Sequence, residues 1–127
     1  MNNNDFNQAF YEILKRALFL SEKAHREGSL ALEEHVDEEK FCQRGIFEYG
    51  LRFVIDASFD TPLLDKILSN IIKQEKDEAK ALLKTIQKEA ILSIQEGIPP
   101  RGLAIILNSY TDIPLSDPVF KKILNDD

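Results

Sequence analysis

Residues 5–27 read DFNQAFYEILKRALFLSEKAHRE. Within them Phe6, Phe10, Ile13, Leu14, Ala17, Ser21 and Ala24 recur at three- and four-residue steps. That spacing draws one apolar stripe along an α-helix and does not fit the two-residue period of a strand. Gly28 ends or kinks this helix, as glycine does at helix termini.

The same pattern continues down the chain. Ser29 can cap a short helix from Leu30 to about Val36. Asp37-Glu38-Glu39 suits the first turn of a third helix, where the dipole favours carboxylates, and that helix runs to about Asp56. Phe41, Gly45, Ile46, Tyr49, Phe53 and Val54 give it a broad buried face. Inside a helix Gly45 and Gly50 each cost up to about 1 kcal/mol against alanine, which points to close approach of a neighbouring backbone. Asp60-Thr61-Pro62 is a helix start, and Leu64, Ile67, Leu68, Ile71 and Ile72 follow on one face. Lys73–Glu78 is a run of polar residues before the apolar spacing resumes at Ala79, Leu82, Leu83, Ile86, Ala90, Ile91 and Ile94. One long helix with a bare middle and two helices joined by a turn both fit. Gly97 and Pro99-Pro100 stop the run, a fifth helix covers Arg101 to about Tyr110, and Ser116-Asp117-Pro118 starts a last one ending near Leu124. The expected fold is all-α: a single-domain compact bundle of about five to six helices.

Bulk properties exclude several partners. The 127 residues carry a net charge of −6. A nucleic-acid backbone or an anionic membrane surface needs a basic face. Cys42 is the single cysteine, so no intrachain disulfide can form, which fits a reducing, cytoplasmic compartment. Met1-Asn2-Asn3-Asn4-Asp5 lacks the basic-then-apolar order of a signal peptide. No window approaches 18 uncharged apolar residues, so no membrane span is expected.

Chemistry-bearing constellations are sparse. Glu22 and His25 form one Glu-x-x-His pair, whereas di-metal carboxylate bundles need two pairs and two further glutamates. The plain reading is a surface Glu22 and a half-buried His25; the rival is a small metal-binding protein or enzyme built on the two. Glu33, Glu34, Asp37, Glu38 and Glu39 could gather a hard cation, but no Ca²⁺ loop pattern is present, and a solvated acidic turn is expected. His35 and Cys42 could pair as base and nucleophile, yet a cysteine beside Phe41 and Ile46 reads as a small core residue. There is no glycine-rich phosphate loop or nucleophile elbow. No enzymatic activity, cofactor or bound metal is expected. Phe19 lies nearly opposite the stripe of the first helix, so either a later helix covers it or it is an exposed binding patch.

Three segments resemble one family. Lys23–Glu33 (KAHREGSLALE) resembles the cytoplasmic signature of MotA, the proton-channel stator subunit of the bacterial flagellar motor, roughly K-A-R-x-E-G-x-L-A-L-E. Gly50–Ser58 (GLRFVIDAS) is similar to that family's G-L-x-L-V-V-D-G-T. Glu89–Gly97 (EAILSIQEG), with Pro100-Arg101 through Ser109-Tyr110, is similar to its E-G-I-L-A-I-Q-x-G-x-x-P-R stretch and the helix after it. The order is the same, over residues 12 to 112 or so.

The family has two membrane helices before the first segment and two between the second and third. Here all four are missing. The resemblance therefore implies a MotA-like cytoplasmic domain closed on itself, unable to conduct protons. In the family, an arginine three residues before the signature glycine and a glutamate five after it are implicated in charge contacts with the rotor protein FliG. These positions are His25 and Glu33 here. Glu33 matches; His25 does not, although Arg26 is adjacent, and histidine is mostly neutral at pH 7. Ala57 and Ala90 replace family glycines, implying ordinary helical geometry at both. The implied function is a motility-associated interaction module whose partner is FliG or a stator subunit, with homo-oligomerisation also open. His25, Arg26, Glu33 and Phe19 are the candidate partner-binding residues. A structural adaptor outside motility is the remaining alternative.

Overall fold

A computed structural model describes residues 1–125. The apolar stripes form seven α-helices and one 3-10 helix, with no strand among the described residues. In chain order these are α1 (Asn3–Glu27), the 3-10 helix (Ser29–His35), α2 (Glu38–Cys42), α3 (Ile46–Asp56), α4 (Thr61–Ile72), α5 (Glu78–Gln95), α6 (Pro100–Asn108) and α7 (Pro118–Asn125). The all-α expectation holds, but among the described residues eight helices replace the expected five to six.

The additional helices come from two breaks. The expected third helix is interrupted after Cys42. Arg44 turns left-handed at φ 60°, its N–H bonds the Phe41 carbonyl at 3.0 Å, and the Gly45 N–H bonds the Lys40 carbonyl at 2.8 Å. This pair of bonds is a Schellman closure. Gly45 is therefore the N-cap of α3 and not a helix-interior glycine. The second break settles the polar run: Lys73–Asp77 is a turn, and the Asp77 carboxylate caps α5 by accepting from the Lys80 N–H at 2.9 Å. Ser29 does not cap its segment. Gly28, at φ 88°, holds that position without a side-chain bond, and the Ala31 N–H bonds Gly28's carbonyl at 3.2 Å, the three-residue step of a 3-10 helix. Asp60 caps α4 as expected, accepting from the Leu63 N–H at 3.0 Å.

Ala57 departs from the helical geometry implied for it. It sits left-handed at φ 50° at the end of α3, with the Ser58 N–H bonding Phe53's carbonyl at 3.3 Å and its own N–H bonding Val54's at 3.1 Å. Gly97 closes α5 in the same way at φ 73°. A side chain in that region is strained by roughly 1–2 kcal/mol, and glycine is not. Ala57→Gly is accordingly expected to stabilise the protein by about 0.5–1 kcal/mol after the extra unfolded-state entropy of glycine is offset. Urea unfolding checks it; an unchanged or lower midpoint counts against the strain.

The bundle is arranged around α5, which packs on α1, α3, α4 and α6; α1 also carries the 3-10 helix and α7. Phe10, Leu14, Leu51, Ile91, Leu107 and Phe120 are at most 1% exposed. The buried side of α1 is wider than its stripe, because Tyr11 and Leu20 are buried too. The Tyr11 hydroxyl donates to Asp117 at 3.0 Å; burial, aided by that carboxylate, pushes its pKa up to about 12. Phe41, Tyr49, Phe53 and Phe59 form a half-buried chain of rings with centroids 5.1–5.5 Å apart. Cys42, read as a core residue, is exposed, because α2 ends there.

Candidate functional site

The end of α1 and the 3-10 helix bring the candidate residues together. Gly28 turns the chain so that Ser29–His35 folds back along α1 and against α3. Arg16 anchors this arrangement from α1. Its guanidinium lies 2.7 Å from Glu48 on α3, donates to the His35 carbonyl at 3.2 Å and sits over the Phe47 ring at 4.8 Å. Glu48 is only 3% exposed, whereas the Arg16 side chain is 33% exposed, so the carboxylate of this pair is withdrawn from water while its cation stays partly solvated. Sequence reasoning missed it, although a lone carboxylate inside the apolar run from Ile46 to Val54 is a signal for a buried partner.

Lys23 lies between Glu34 and His35. Its ammonium donates to the Glu34 carboxylate, holding that carboxyl below the usual carboxylate range. It also lies 3.0 Å from His35 Nε2. Glu33 meets Arg52 of α3 at 3.4 Å, and Arg52 also approaches Glu38 at 3.6 Å and Asp56 at 3.8 Å. Arg52 was not singled out from sequence, because nothing local relates it to a glutamate 19 residues earlier.

His25 is exposed and not half-buried. Its Nε2 lies 3.3 Å from the Ile98 carbonyl in the α5–α6 turn. Arg26 is exposed, 3.9 Å from Glu22. Phe19 is 55% exposed. The 3-10 helix covers it only in part, with the His35 ring edge-on at 5.1 Å. Leu30, the first residue of the expected short helix, is 73% exposed. An open groove runs between α1 and the 3-10 helix, lined by Lys23, Glu27, Leu30, Ala31, Glu33 and Glu34. His25 and Arg26 thus lie at the end of α1, Glu33 on the 3-10 helix and Phe19 further back on α1, each on the surface.

Glu22 and His25 acquire no further ligand: among the described residues no three His, Cys, Asp or Glu side chains are placed to hold a metal ion. No described helix is long and apolar enough to cross a membrane. Compared with known proteins, the chain matches no family model, no curated protein and no solved structure.

Proposed function

We propose that this chain is a motility-associated protein-interaction module that meets a flagellar rotor or stator protein at the junction of α1 and the 3-10 helix. One observation carries the reading. The three segments with MotA-like sequence, far apart in the chain, contact one another in the fold. Glu33 of the first pairs with Arg52 of the second at 3.4 Å. His25 of the first reaches Ile98, just beyond Gly97 of the third, at 3.3 Å. Gly50 of the second packs on Ile91 of the third. The left-handed Ala57 adds support, since it stands where the family carries glycine.

The reading requires no catalysis and no cofactor, and it places the protein in the cytoplasm. Charges at an exposed rim steer and orient a partner more than they add affinity. Glu33→Lys is therefore expected to weaken binding to FliG or to a MotA-bearing stator by roughly tenfold, while stability falls by no more than about 1 kcal/mol through the lost surface pair with Arg52. Binding titrations and urea unfolding on the same preparations check both halves. Binding that ignores the reversal removes Glu33 from the site. If the wild type binds neither partner, the motility reading gives way to an adaptor acting elsewhere.

A further inference from the structure

The surface at this end has an uneven distribution of charge. Its carboxylates point outward: the side chains of Glu22, Glu33 and Glu34 are 49%, 62% and 66% exposed, and Glu27 is exposed at the groove edge. Two of its cations are recessed and already engaged. Lys23, 15% exposed, is held by Glu34 and His35. Arg52, 22% exposed, is shared among Glu33, Glu38 and Asp56. Arg26 points out, at 69%, on the α1 edge beside Glu22, and Arg101, near the α5–α6 turn, is exposed as well. Glu33 and Glu34 are the more exposed members of their pairs and Glu27 is exposed beside them, so an approaching molecule meets carboxylate oxygens before the recessed Lys23 and Arg52.

Two apolar side chains are exposed here, Leu30 in the groove wall and Phe19 beyond its edge on α1. Leu30 is 73% exposed and Phe19 is 55% exposed. Lys23 lines the groove with Leu30 and stands one helical turn after Phe19 on the same face of α1. The Phe19–His35 contact closes the arrangement from the 3-10 side. Apolar anchors around a shallow groove with a charged rim suit a helix laid into it, apolar face down. A peptide strand has no sheet edge to extend among the described residues.

We infer that the groove between α1 and the 3-10 helix receives a cationic amphipathic helix of a partner protein. Its apolar side chains cover Leu30 and Phe19, and its lysines or arginines meet Glu27, Glu33 and Glu34. The inference rests on the reading of this end as a partner-facing surface, but it does not depend on motility. Loss of FliG binding leaves it standing, and its own failure leaves any FliG contact untouched.

The test uses the full chain and two synthetic helical peptides. One has leucines at helical spacing with lysines on the other face; its counterpart has glutamates in place of the lysines. The lysine peptide is expected to bind saturably and the glutamate peptide not at all. Leu30→Ser and Phe19→Ser should each weaken binding about tenfold or more, with unchanged circular dichroism, because both side chains are already largely in water. Leu115→Ser, also on an exposed leucine but outside the groove, should leave binding intact. Equal binding of both peptides, absence of binding, or indifference to Leu30→Ser and Phe19→Ser each overturns the proposal. So does a concentration-dependent dimer that Leu30→Ser abolishes, since the groove would then receive a second copy of this chain.

Discussion

Arg16→Met is expected to lower the free energy of unfolding by about 3 kcal/mol. The Glu48 side chain is 4% exposed and its carboxylate has Arg16 at 2.7 Å. Removing the guanidinium leaves a carboxylate withdrawn from water with no cation, and desolvation then outweighs anything the thioether gains by packing. The loss extends beyond the pair, because the same guanidinium donates to the His35 carbonyl and lies over Phe47. It therefore ties three elements: α1, the 3-10 helix and α3. Removing the carboxylate as well should recover much of the loss, since buried ion pairs replaced as a unit by apolar side chains are often neutral or better. Arg16→Met with Glu48→Leu should be more stable than Arg16→Met alone. Urea unfolding of the wild type and these two variants decides it. A loss below about 1 kcal/mol for Arg16→Met, or no recovery in the double variant, would show that water already solvates Glu48.

Hydrogen exchange gives the pair a spatial readout. In Arg16→Met the amides of residues 29–35 should lose protection before those of α5, because the 3-10 helix packs on α1 and α3 while α5 is held by four helices. The groove is built from this segment, so partner binding should weaken with its protection. Stability and site geometry share one anchor here.

The helix periods were legible because burial on one side of a helix repeats in sequence: every stripe residue of α1 from Phe10 to Ser21 is buried. Helix ends were less so. Gly28 and Gly97 were read as stops, but Arg44 and Ala57 turn left-handed without being glycine. The closure at Arg44 is made by backbone bonds to Phe41 and Lys40 that any residue can form. Gly45, one position later, looked like the interior of a continuing helix, and Cys42 followed it into a supposed core. The site was legible where a motif marked it or, at Phe19, where a large ring stands off the apolar stripe. Glu33 and His25 came from resemblance to a known pattern. Arg52, Arg16 and Glu48 came from tertiary pairing over 19 to 32 residues, which leaves no local trace. The exposure of Phe19 and Leu30 depends on which helices pass over them, and periodicity says which face is buried only once the neighbours are placed.

Gly50→Val is expected to destabilise the protein by about 2–3 kcal/mol, although valine is the better helix former. A Cβ at position 50 would lie 2.8 Å from Ile91 Cγ2 and 2.9 Å from its Cγ1, well inside normal contact. Ile91 is fully buried and has no open side to move into. Either its rotamer is forced or α3 lifts from α5, and both outcomes cost more than the roughly 0.5 kcal/mol that helix propensity returns. The sequence pointed to a close neighbour at Gly50 but expected backbone; the neighbour is a β-branched side chain. That difference makes a rescue possible. Ile91→Ala deletes the atoms that clash, so in the Gly50→Val background it should cost much less than the roughly 2–5 kcal/mol it costs alone. A favourable coupling of at least about 1 kcal/mol across the double-mutant cycle is the expected result. If the two losses simply add, α3 and α5 do not meet at this contact, and the convergence of the second and third MotA-like segments loses one of its supports.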